Sequence, residues 1–590
     1  MRSKSDAIFR HLPGSVADFY GGRLIARVAK WTSRPIDIPG KRRVIERIHM
    51  SLGRFREIDP AFPSSPRADR YMFYEPNLVE IELFPLTLGL SSGKYLRFAS
   101  TEQLLNYFRH SPKGEVGMQR DLVQVSTKGG MESLRVPDCP EHGLQAVILD
   151  DSSGDIGQFR WRCRLCNRAL QGLEGFVDGQ KIMGAVPVRS ASVFIPWIST
   201  MVRVGIDIEE LGDRKAADLL VLAKYLGFLD SKFDLKKGIA STSSRAIKPS
   251  SDTVEKFAKA HGLRPEEAES IIRDWEAQRR TPEEEAARGV QEVFPDPTNP
   301  RFGQAALSIF DYLETLNEGA ISLSSAESQA SGSAKDRFRE FRSQFLSIGI
   351  EEVYHIPIVP LIQAAYGYTR GDFGPNNTTI RAFPPDGMDK TGQIPIYVDL
   401  TESEGLLLQL DRTRVLEWLA RNKLVQGVDF RGTRERMLWF LTNVSPFAQT
   451  LPDSNQPFDT EIFTLLHTIS HSLIKSITIP SGLASESIGE LFFPNVPAIL
   501  LYTHEGRGFK TGGMQDLFTN RMLTWLMLTK ERLNPCIYDP VCLNSIGACH
   551  YCLLTTEATC SHFNSNLSRW VLFGNPQVGT LGYWSSAMIR

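Results

Sequence analysis

The sequence predicts a mixed α/β, multidomain protein with a zinc-ribbon-like insertion and a C-terminal α/β domain closed by a cysteine-rich zinc module. Three observations lead to this fold class. The chain has 590 residues, enough for about three to five domains of ordinary size. Apolar patterns typical of strands and of helices alternate along it. All eight cysteines fall in two tight clusters, a distribution typical of metal ligation rather than of a disulfide framework.

The first third of the chain is predicted to hold two regions. Residues 1–128 form an N-terminal α/β region, in which residues 79–84 alternate apolar and polar as a half-buried strand does. Residues 129–234 form a β-rich region that contains a zinc ribbon, and its β-rich runs, near 129–200, end in the strand-like run 191–197. Basic residues outnumber acidic ones over residues 1–47, which suits either phosphate binding or a solvated basic face.

Three further segments complete the predicted organisation. Residues 235–320 are a basic loop and helical region: residues 235–251 lack an apolar period, and a helix pair follows at 254–275. Such a pair is found in DNA-binding proteins and in ordinary helical hairpins alike. Residues 321–335 are serine-rich and predict a flexible linker. Residues 336–590 predict the C-terminal α/β domain, with a helix at 460–477 and a buried strand at 498–502.

The cellular location is predicted from what the sequence lacks. No apolar run approaches the roughly 18 residues needed to cross a bilayer, and no signal-peptide core follows the first residues. Clustered cysteines suit a reducing compartment. We therefore expect a soluble, cytoplasmic protein.

The first cysteine cluster predicts a structural zinc site. Cys139 and His142 form one short-spaced pair, and Cys163 and Cys166 form a second about two dozen residues later. Two such pairs closing one tetrahedron is the arrangement that structural zinc prefers, and four protein ligands leave no open position for a catalytic water. The alternative is that Cys139 and His142 pack separately while Cys163 and Cys166 form a redox pair.

The second cluster predicts a second zinc site with one cysteine to spare. Its five thiols are those of Cys536, Cys542, Cys549, Cys552 and Cys560. The Cys549-x-x-Cys552 turn is the firmest part, and the preferred set adds Cys542 and Cys560, with Cys536 as the substitute. His550 and His562 are further candidate ligands of lower weight.

No motor or protease motif is complete in the sequence. The glycine-lysine stretches at 89–94 and 508–511 both depart from a phosphate-binding loop, so ATP hydrolysis by this chain is not expected. His467 and His471 stand four apart on a predicted helix, but Thr468 occupies the place of a zincin's glutamate. The two histidines are therefore expected to hydrogen-bond in the core or to meet a partner or phosphate.

A glycine-rich stretch follows the predicted buried strand at 498–502. Gly512 and Gly513 precede a helix that begins near Met514, and Arg507 and Lys510 lie just before them. Amides at such a strand-to-helix turn can bind phosphate, and a plain flexible turn explains the same glycines.

Several C-terminal motifs together resemble the DrmB family, a component of the DISARM anti-phage system with a region similar to the zinc-binding module of MrfA-type helicases. They are the runs at 465–474, 498–503, 539–542, 548–554, 557–560 and 564–569, with weaker support at 366–370 and 404–418. The resemblance covers roughly residues 345–590 and, more loosely, 139–166. The N-terminal Phe84-Pro85 departs from it, because the expected cysteines do not follow.

The resemblance implies a non-catalytic DNA-binding and scaffolding subunit that pairs with a DrmA-type helicase, and possible contact with other DISARM components such as a DNA methyltransferase. Zn²⁺ at two structural sites would be its cofactor. Predicted DNA contacts are Lys236, Lys237, Arg370, Arg507, Lys510 and Arg569. Two alternatives stay open: a metal-dependent nuclease or hydrolase using His467 and His471 with Glu461 or Glu505, and an adaptor that binds only protein.

Overall fold

A computed structural model describes most of the chain. The described residues are 11–19, 24–91, 93–110, 117–173, 176–177, 180–181, 184–203, 214–239, 251–278, 281–294, 300–316, 319–372, 374–383, 392–427, 430–447, 456–504, 512–556, 559–585 and 588. Within these ranges no helix is both long and apolar enough to span a membrane.

The elements alternate as the sequence predicts. The strands are β1 (Val16–Phe19), β2 (Leu24–Pro35), β3 (Glu57–Ile58), β4 (Tyr71–Leu83), β5 (Thr87–Leu90), β6 (Tyr95–Arg97), β7 (Gly117–Gln119), β8 (Leu122–Val125), β9 (Met131–Ser133), β10 (Val147–Asp150), β11 (Arg160–Cys163), β12 (Ala169–Gly172), β13 (Phe176–Val177), β14 (Gln180–Lys181), β15 (Ala185–Pro187), β16 (Ile195–Val202), β17 (Ile321–Ser322), β18 (Ile350–Thr369), β19 (Thr379–Ile380), β20 (Ile394–Leu410), β21 (Ile488–Phe493) and β22 (Ala498–Thr503). The α-helices are α1 (Lys41–Leu52), α2 (Thr101–His110), α3 (Arg214–Tyr225), α4 (Ser251–His261), α5 (Pro265–Gln278), α6 (Pro282–Val293), α7 (Pro300–Thr315), α8 (Leu323–Gln329), α9 (Gly332–Ser347), α10 (Arg412–Arg421), α11 (Thr433–Asn443), α12 (Pro457–Ser476), α13 (Thr478–Ser481), α14 (Gly513–Asp516), α15 (Met522–Leu533), α16 (Val541–Asn544) and α17 (Trp570–Phe573).

The chain divides into two compact units that are not consecutive in sequence. The first holds the described residues of 1–200 and 362–400, and the second those of 201–361, 401–505 and 509–590. The long strands β18 and β20 are divided between the units. The mixed α/β, multidomain class is confirmed, whereas the five consecutive segments predicted from the sequence differ from this division.

The first unit is built around an antiparallel ribbon. Strand β2 pairs with β1 and with β4, and β4 pairs in parallel with the first residues of β20. A separate three-stranded sheet, β10-β11-β12, carries the first cysteine cluster. Trp161 on β11 is buried against Tyr95, so this small sheet has a core of its own.

The second unit is built around helix α12. Nearly all of its residues are buried, including polar ones such as His467, Ser470 and His471. Pro457 at its start supplies a backbone angle that suits the first turn. Strand β22 pairs with β20 on one side and with β21 on the other, and all three strands are almost wholly buried here. The unit therefore places α12 and β21 side by side in one apolar core.

The predicted flexible linker at 321–335 is folded. Ser322 caps helix α8 by accepting a hydrogen bond from the Ser325 amide at 3.0 Å, and Leu323 and Ala326 are buried in the core of the second unit. Serine is common in flexible linkers, but its short hydroxyl also makes it a good helix cap, and Ser322 has that second role here. Residues 321–335 lie within the second compact unit.

Other local predictions stand as follows. The strand at 79–84, the helix pair at 254–275, the helix at 460–477 and the strand at 498–502 are all confirmed to within a few residues. Of the predicted basic loop at 235–251, residues 235–239 are helical, with Leu235 and Ile239 buried. Residues 240–250 lie outside the described residues, and Ser251 begins α4.

Candidate metal centres

The first cysteine cluster forms one four-ligand group. Cys139 Sγ lies 3.9 Å from Cys166 Sγ, and His142 Nδ1 lies 3.7 Å from Cys139 Sγ and 3.6 Å from Cys163 Sγ. Zinc–sulfur and zinc–nitrogen bonds of normal length give tetrahedral edges of about 3.8 Å between sulfurs and about 3.5 Å between nitrogen and sulfur. These three distances fit the edges of a zinc-sized tetrahedron, and all four ligand atoms lie within 4.8 Å of one another.

Local backbone structure sets these positions. The Gly143 amide donates to the Cys139 carbonyl at 2.8 Å, which turns the chain between Cys139 and His142. At the other pair, the Cys163 amide donates to the Arg168 carbonyl at 3.0 Å, and Asn167 takes a left-handed φ of 57°. The Cys166 amide, pointing at the Cys163 sulfur, lowers the pKa of that thiol to about 6, which favours the thiolate that zinc needs.

The second cluster joins four of its five cysteines. Sulfur–sulfur distances are 3.6 Å for Cys536–Cys549, 3.8 Å for Cys542–Cys552 and 3.6 Å for Cys549–Cys552. These values match a tetrahedral edge between sulfurs of about 3.8 Å. The geometry therefore selects Cys536, and the preferred set that included Cys560 is corrected, because Cys560 belongs to a different group.

Basic side chains hold the second cluster in shape. Lys475 Nζ donates to the carbonyls of His550 and Leu554 at 2.8 and 3.1 Å, and Arg532 donates to the Tyr551 carbonyl at 3.2 Å. These bonds fix the turn that contains Cys549 and Cys552. Neither His550 nor His562 belongs to the four-sulfur group.

Cys560 lies instead beside the two helical histidines and a glutamate. His467, His471, Glu490 and Cys560 have ligand atoms within 4.8 Å of one another, and all four side chains are buried. Sequence reasoning placed the histidines in the core, where they are, but missed Glu490. A signal was present, since Glu490 is a single carboxylate in the otherwise apolar run Ile488–Phe493, and a buried carboxylate needs a partner.

The pKa values of three side chains in this group are shifted from their usual ranges. Burial lowers the pKa of His467, and the neighbouring His471 lowers it further. Burial alone would raise the pKa of Glu490, but the two histidines hold it well below its usual range. Burial raises the pKa of the Cys560 thiol, with Glu490 adding to the effect.

The carboxylates proposed for a hydrolase are not in this group. Glu461 lines a separate cavity of about 250 Å³ together with Trp418 and Trp570. Glu505 lies outside the described residues.

Two of the predicted DNA contacts are internal structural groups. Arg370 is buried and donates to the carbonyls of Val193, Gly129 and Gly14 at 3.0, 2.7 and 2.7 Å. Arg569 is buried in a two-point ion pair with Asp539. A buried guanidinium that is already bonded has no free face for phosphate, so both contacts are corrected.

Of the other four predicted contacts, two are accessible and two lie outside the described residues. Lys236 and Lys237 are accessible and pair with Glu314 at 3.1 Å and Asp234 at 3.4 Å. Arg507 and Lys510 lie outside the described residues.

The turn before helix α14, where phosphate binding was predicted, already binds a carboxylate of the protein. The amides of Gly512, Met514 and Gln515 donate to the Glu404 carboxylate at 2.8, 3.4 and 2.7 Å. The same carboxylate accepts from His355 at 2.9 Å. This helix start is therefore occupied by a side-chain anion of the protein itself, as the partial positive charge of a helix N-terminus favours.

Fold and sites together define a multidomain α/β protein with two cysteine-rich groups of four side chains, each of which could hold a zinc ion. No protein-family model matches the chain. The chain is similar to the DISARM protein DrmB of Bacillus paralicheniformis, with 25% identity over 185 residues. The match covers 29% of this chain and 31% of that protein, so the chain spans about a third of the relative's length. This supports a distant relationship to DrmB.

Proposed function

We propose that this chain is a zinc-stabilised, non-catalytic DNA-binding and scaffolding subunit of a DISARM-type anti-phage complex, acting with a DrmA-type helicase. The similarity to a DISARM protein carries the proposal. The cysteine clusters agree with it, because four protein ligands at each leave no position at which a metal could activate water. Zinc would hold the ribbon around Cys139 and the turn around Cys549 in shape.

DNA binding in this proposal rests on accessible basic residues. Lys237 is 88% exposed and Lys236 is 42% exposed, and their ion pairs with acidic neighbours are of the weak surface kind. A phosphate can compete for such lysines at little cost. Each phosphate contact releases counterions, so affinity should fall steeply as salt rises.

The test is DNA binding by the purified full-length chain across a range of salt, with and without a DrmA-type helicase, and with ATP turnover measured in parallel. The expected result is binding that tightens with the helicase, and no turnover by the chain alone. Changing Lys237→Ala should reduce the slope of log affinity against log salt by about one. The matched control is Lys423→Ala, an exposed lysine of the same unit that should leave the slope unchanged.

Three results would contradict the proposal. ATP or nuclease turnover by the isolated chain would favour the metal-dependent hydrolase, which needs an open coordination position. Helicase association without crosslinking to DNA would favour an adaptor that binds only protein. Affinity that does not change with salt would contradict the phosphate contacts.

A further inference from the structure

We propose that His467, His471, Glu490 and Cys560 form a third metal site, which takes Zn²⁺ or a similar borderline divalent ion and has a structural role. It is separate from the two cysteine clusters and does not depend on the DISARM-type role. Helix α12 supplies the two histidines, β21 supplies the carboxylate, and the segment after α16 supplies the thiol.

Hydrogen bonds on the far side of each imidazole fix which nitrogen faces the group. His467 Nδ1 lies 2.8 Å from the Ser565 carbonyl, and His471 Nδ1 lies 2.9 Å from the Leu553 carbonyl. A carbonyl oxygen only accepts, so both Nδ1 atoms carry a proton, and in the neutral imidazoles both Nε2 atoms present a lone pair inward. A backbone carbonyl behind each histidine is the usual support for a metal-binding imidazole.

The inward-facing atoms have the spacing of a tetrahedron. His467 Nε2 and His471 Nε2 lie 3.4 and 3.3 Å from Glu490 Oε1. Metal bonds to nitrogen and oxygen of normal length for zinc give an edge of about 3.3 Å. His467 Nε2 lies 3.2 Å from Cys560 Sγ, slightly inside the edge of about 3.5 Å expected there.

The other oxygen of the glutamate is also held. Ser470 lies between the two histidines on the helix, and its hydroxyl donates a hydrogen bond to Glu490 Oε2. The Asn564 amide points at Cys560 Sγ at 3.4 Å. Every ligand therefore has its own second contact, and the aromatic rings of Phe463 and Phe492 pack against His467. Such support preorganises a site before the ion arrives.

The chemistry of the ligands selects the ion. Four electron-pair donors converge on one point, so either a cation or shared protons must lie between them. Two imidazoles and a thiolate suit Zn²⁺ and similar borderline ions, and they are poor ligands for Mg²⁺ or Ca²⁺. One thiolate and one carboxylate balance a divalent charge, so the loaded site is neutral and suits full burial.

With four protein ligands and full burial, the site is closed to water and has a structural role. It links three segments that are far apart in sequence, since Cys560 is 93 residues from His467. The ion would therefore fasten the helix, the strand and the cysteine-rich C-terminal segment to one another.

The test is metal analysis of the purified full-length chain, expressed with added Zn²⁺, by mass spectrometry and by X-ray absorption. The two cysteine clusters alone predict two ions per chain, with seven eighths of the ligands sulfur. A third site predicts three ions, with two thirds of the ligands sulfur. The absorption measurement needs no variant, so it decides even if altered proteins fail to fold.

Variants give an independent readout. Cys560→Ala should lower the metal content by one ion per chain, whereas Ser476→Ala, a buried change on the same helix, should leave three. Two ions in the wild type, or an unchanged count in Cys560→Ala, would overturn the proposal. Those outcomes would mean that the four groups form a proton-bridged network in the core.

Discussion

Replacing Arg569 with methionine should destabilise the C-terminal segment strongly, because the arginine is a buried structural residue. Its guanidinium donates to both oxygens of Asp539 and to the Leu533 carbonyl, and only 2% of the side chain is exposed. Asp539 Oδ2 in turn accepts from the Cys536 amide at 2.9 Å. Arg569→Met would leave a mostly buried carboxylate without its partner, which costs about 3 to 5 kcal/mol.

The magnitude can be checked locally by hydrogen exchange of peptides that cover residues 533–545. Each 1.4 kcal/mol or so is a factor of ten, so protection at the Cys536 amide should fall by about two to three and a half powers of ten. Global unfolding is a poorer assay, because a two-unit chain need not unfold in one step.

Arg521 provides the matched control. It pairs with Asp516 at 3.9 Å, and the two side chains are 59% and 53% exposed. Arg521→Met should therefore cost less than about 1 kcal/mol. The reasoning is refuted if Arg569→Met leaves protection like the control and instead weakens DNA binding, since that is the behaviour of a phosphate contact.

Three further predictions follow from the same structure. Burial alone would raise the pKa of Glu404, but His355 and the helix amides lower it on balance. The ionised Glu404 side chain therefore stabilises the fold fully above its pKa in the unfolded chain, and this stabilisation is lost as pH falls through its lower pKa in the folded protein. Glu404→Gln should therefore lower stability at neutral pH and flatten its loss in acid, measured by thermal unfolding from pH 7 to 3. Arg370→Lys should cost about 2 to 4 kcal/mol, because one ammonium cannot reach three separate carbonyls; loss of hydrogen-exchange protection around Gly14, Gly129 and Val193 measures it, and the exposed Arg135→Lys of the same unit is the control. Chelation that strips the first cluster should remove hydrogen-exchange protection from β10–β12, and Cys163→Ser should do the same without chelator; retained protection in both would contradict a structural role for the metal.

The cysteine pairs were predictable because their geometry is local. A Cys-x-x-Cys turn such as Cys549–Cys552 places its two sulfurs by backbone turn structure alone, so spacing in the sequence is enough. The choice between Cys536 and Cys560 was not local. It depends on how the chain after α15 returns to α12, and nothing in the spacing of five thiols encodes that path.

The basic contacts failed for a related physical reason. Arg370 and Arg569 end the motifs at 366–370 and 564–569, and a sequence does not distinguish an arginine that reaches solvent from one that satisfies buried carbonyls. The guanidinium group is suited to both tasks, because its five donors can bond phosphate or backbone oxygens equally well. Only the burial of each side chain separates the two cases.

The same limit explains the serine-rich segment. Composition predicts a linker when no apolar residue is present to bury, yet Leu323 and Ala326 are spaced to face one side of a short helix. With Ser322 as the cap, burial of these two side chains in the larger neighbouring core is enough to stabilise the short helix.

The three candidate metal sites would differ in net charge once loaded. The more negative the ligand set, the more its surroundings offer to stabilise that charge. Four thiolates around a divalent ion leave two negative charges, three leave one, and the His467 group leaves none. The four-thiolate cluster has Arg569 beside it: burial alone would lower the pKa of that guanidinium, but Asp539 and the Cys542 sulfur raise it, as a nearby anion should. In the three-thiolate cluster Cys166 is exposed, so water can stabilise the remaining charge. The neutral set needs neither, and it is the one whose side chains are all buried. A carboxylate and two imidazoles in place of thiolates would therefore let a divalent ion sit in the apolar core of the second unit without leaving a net charge there.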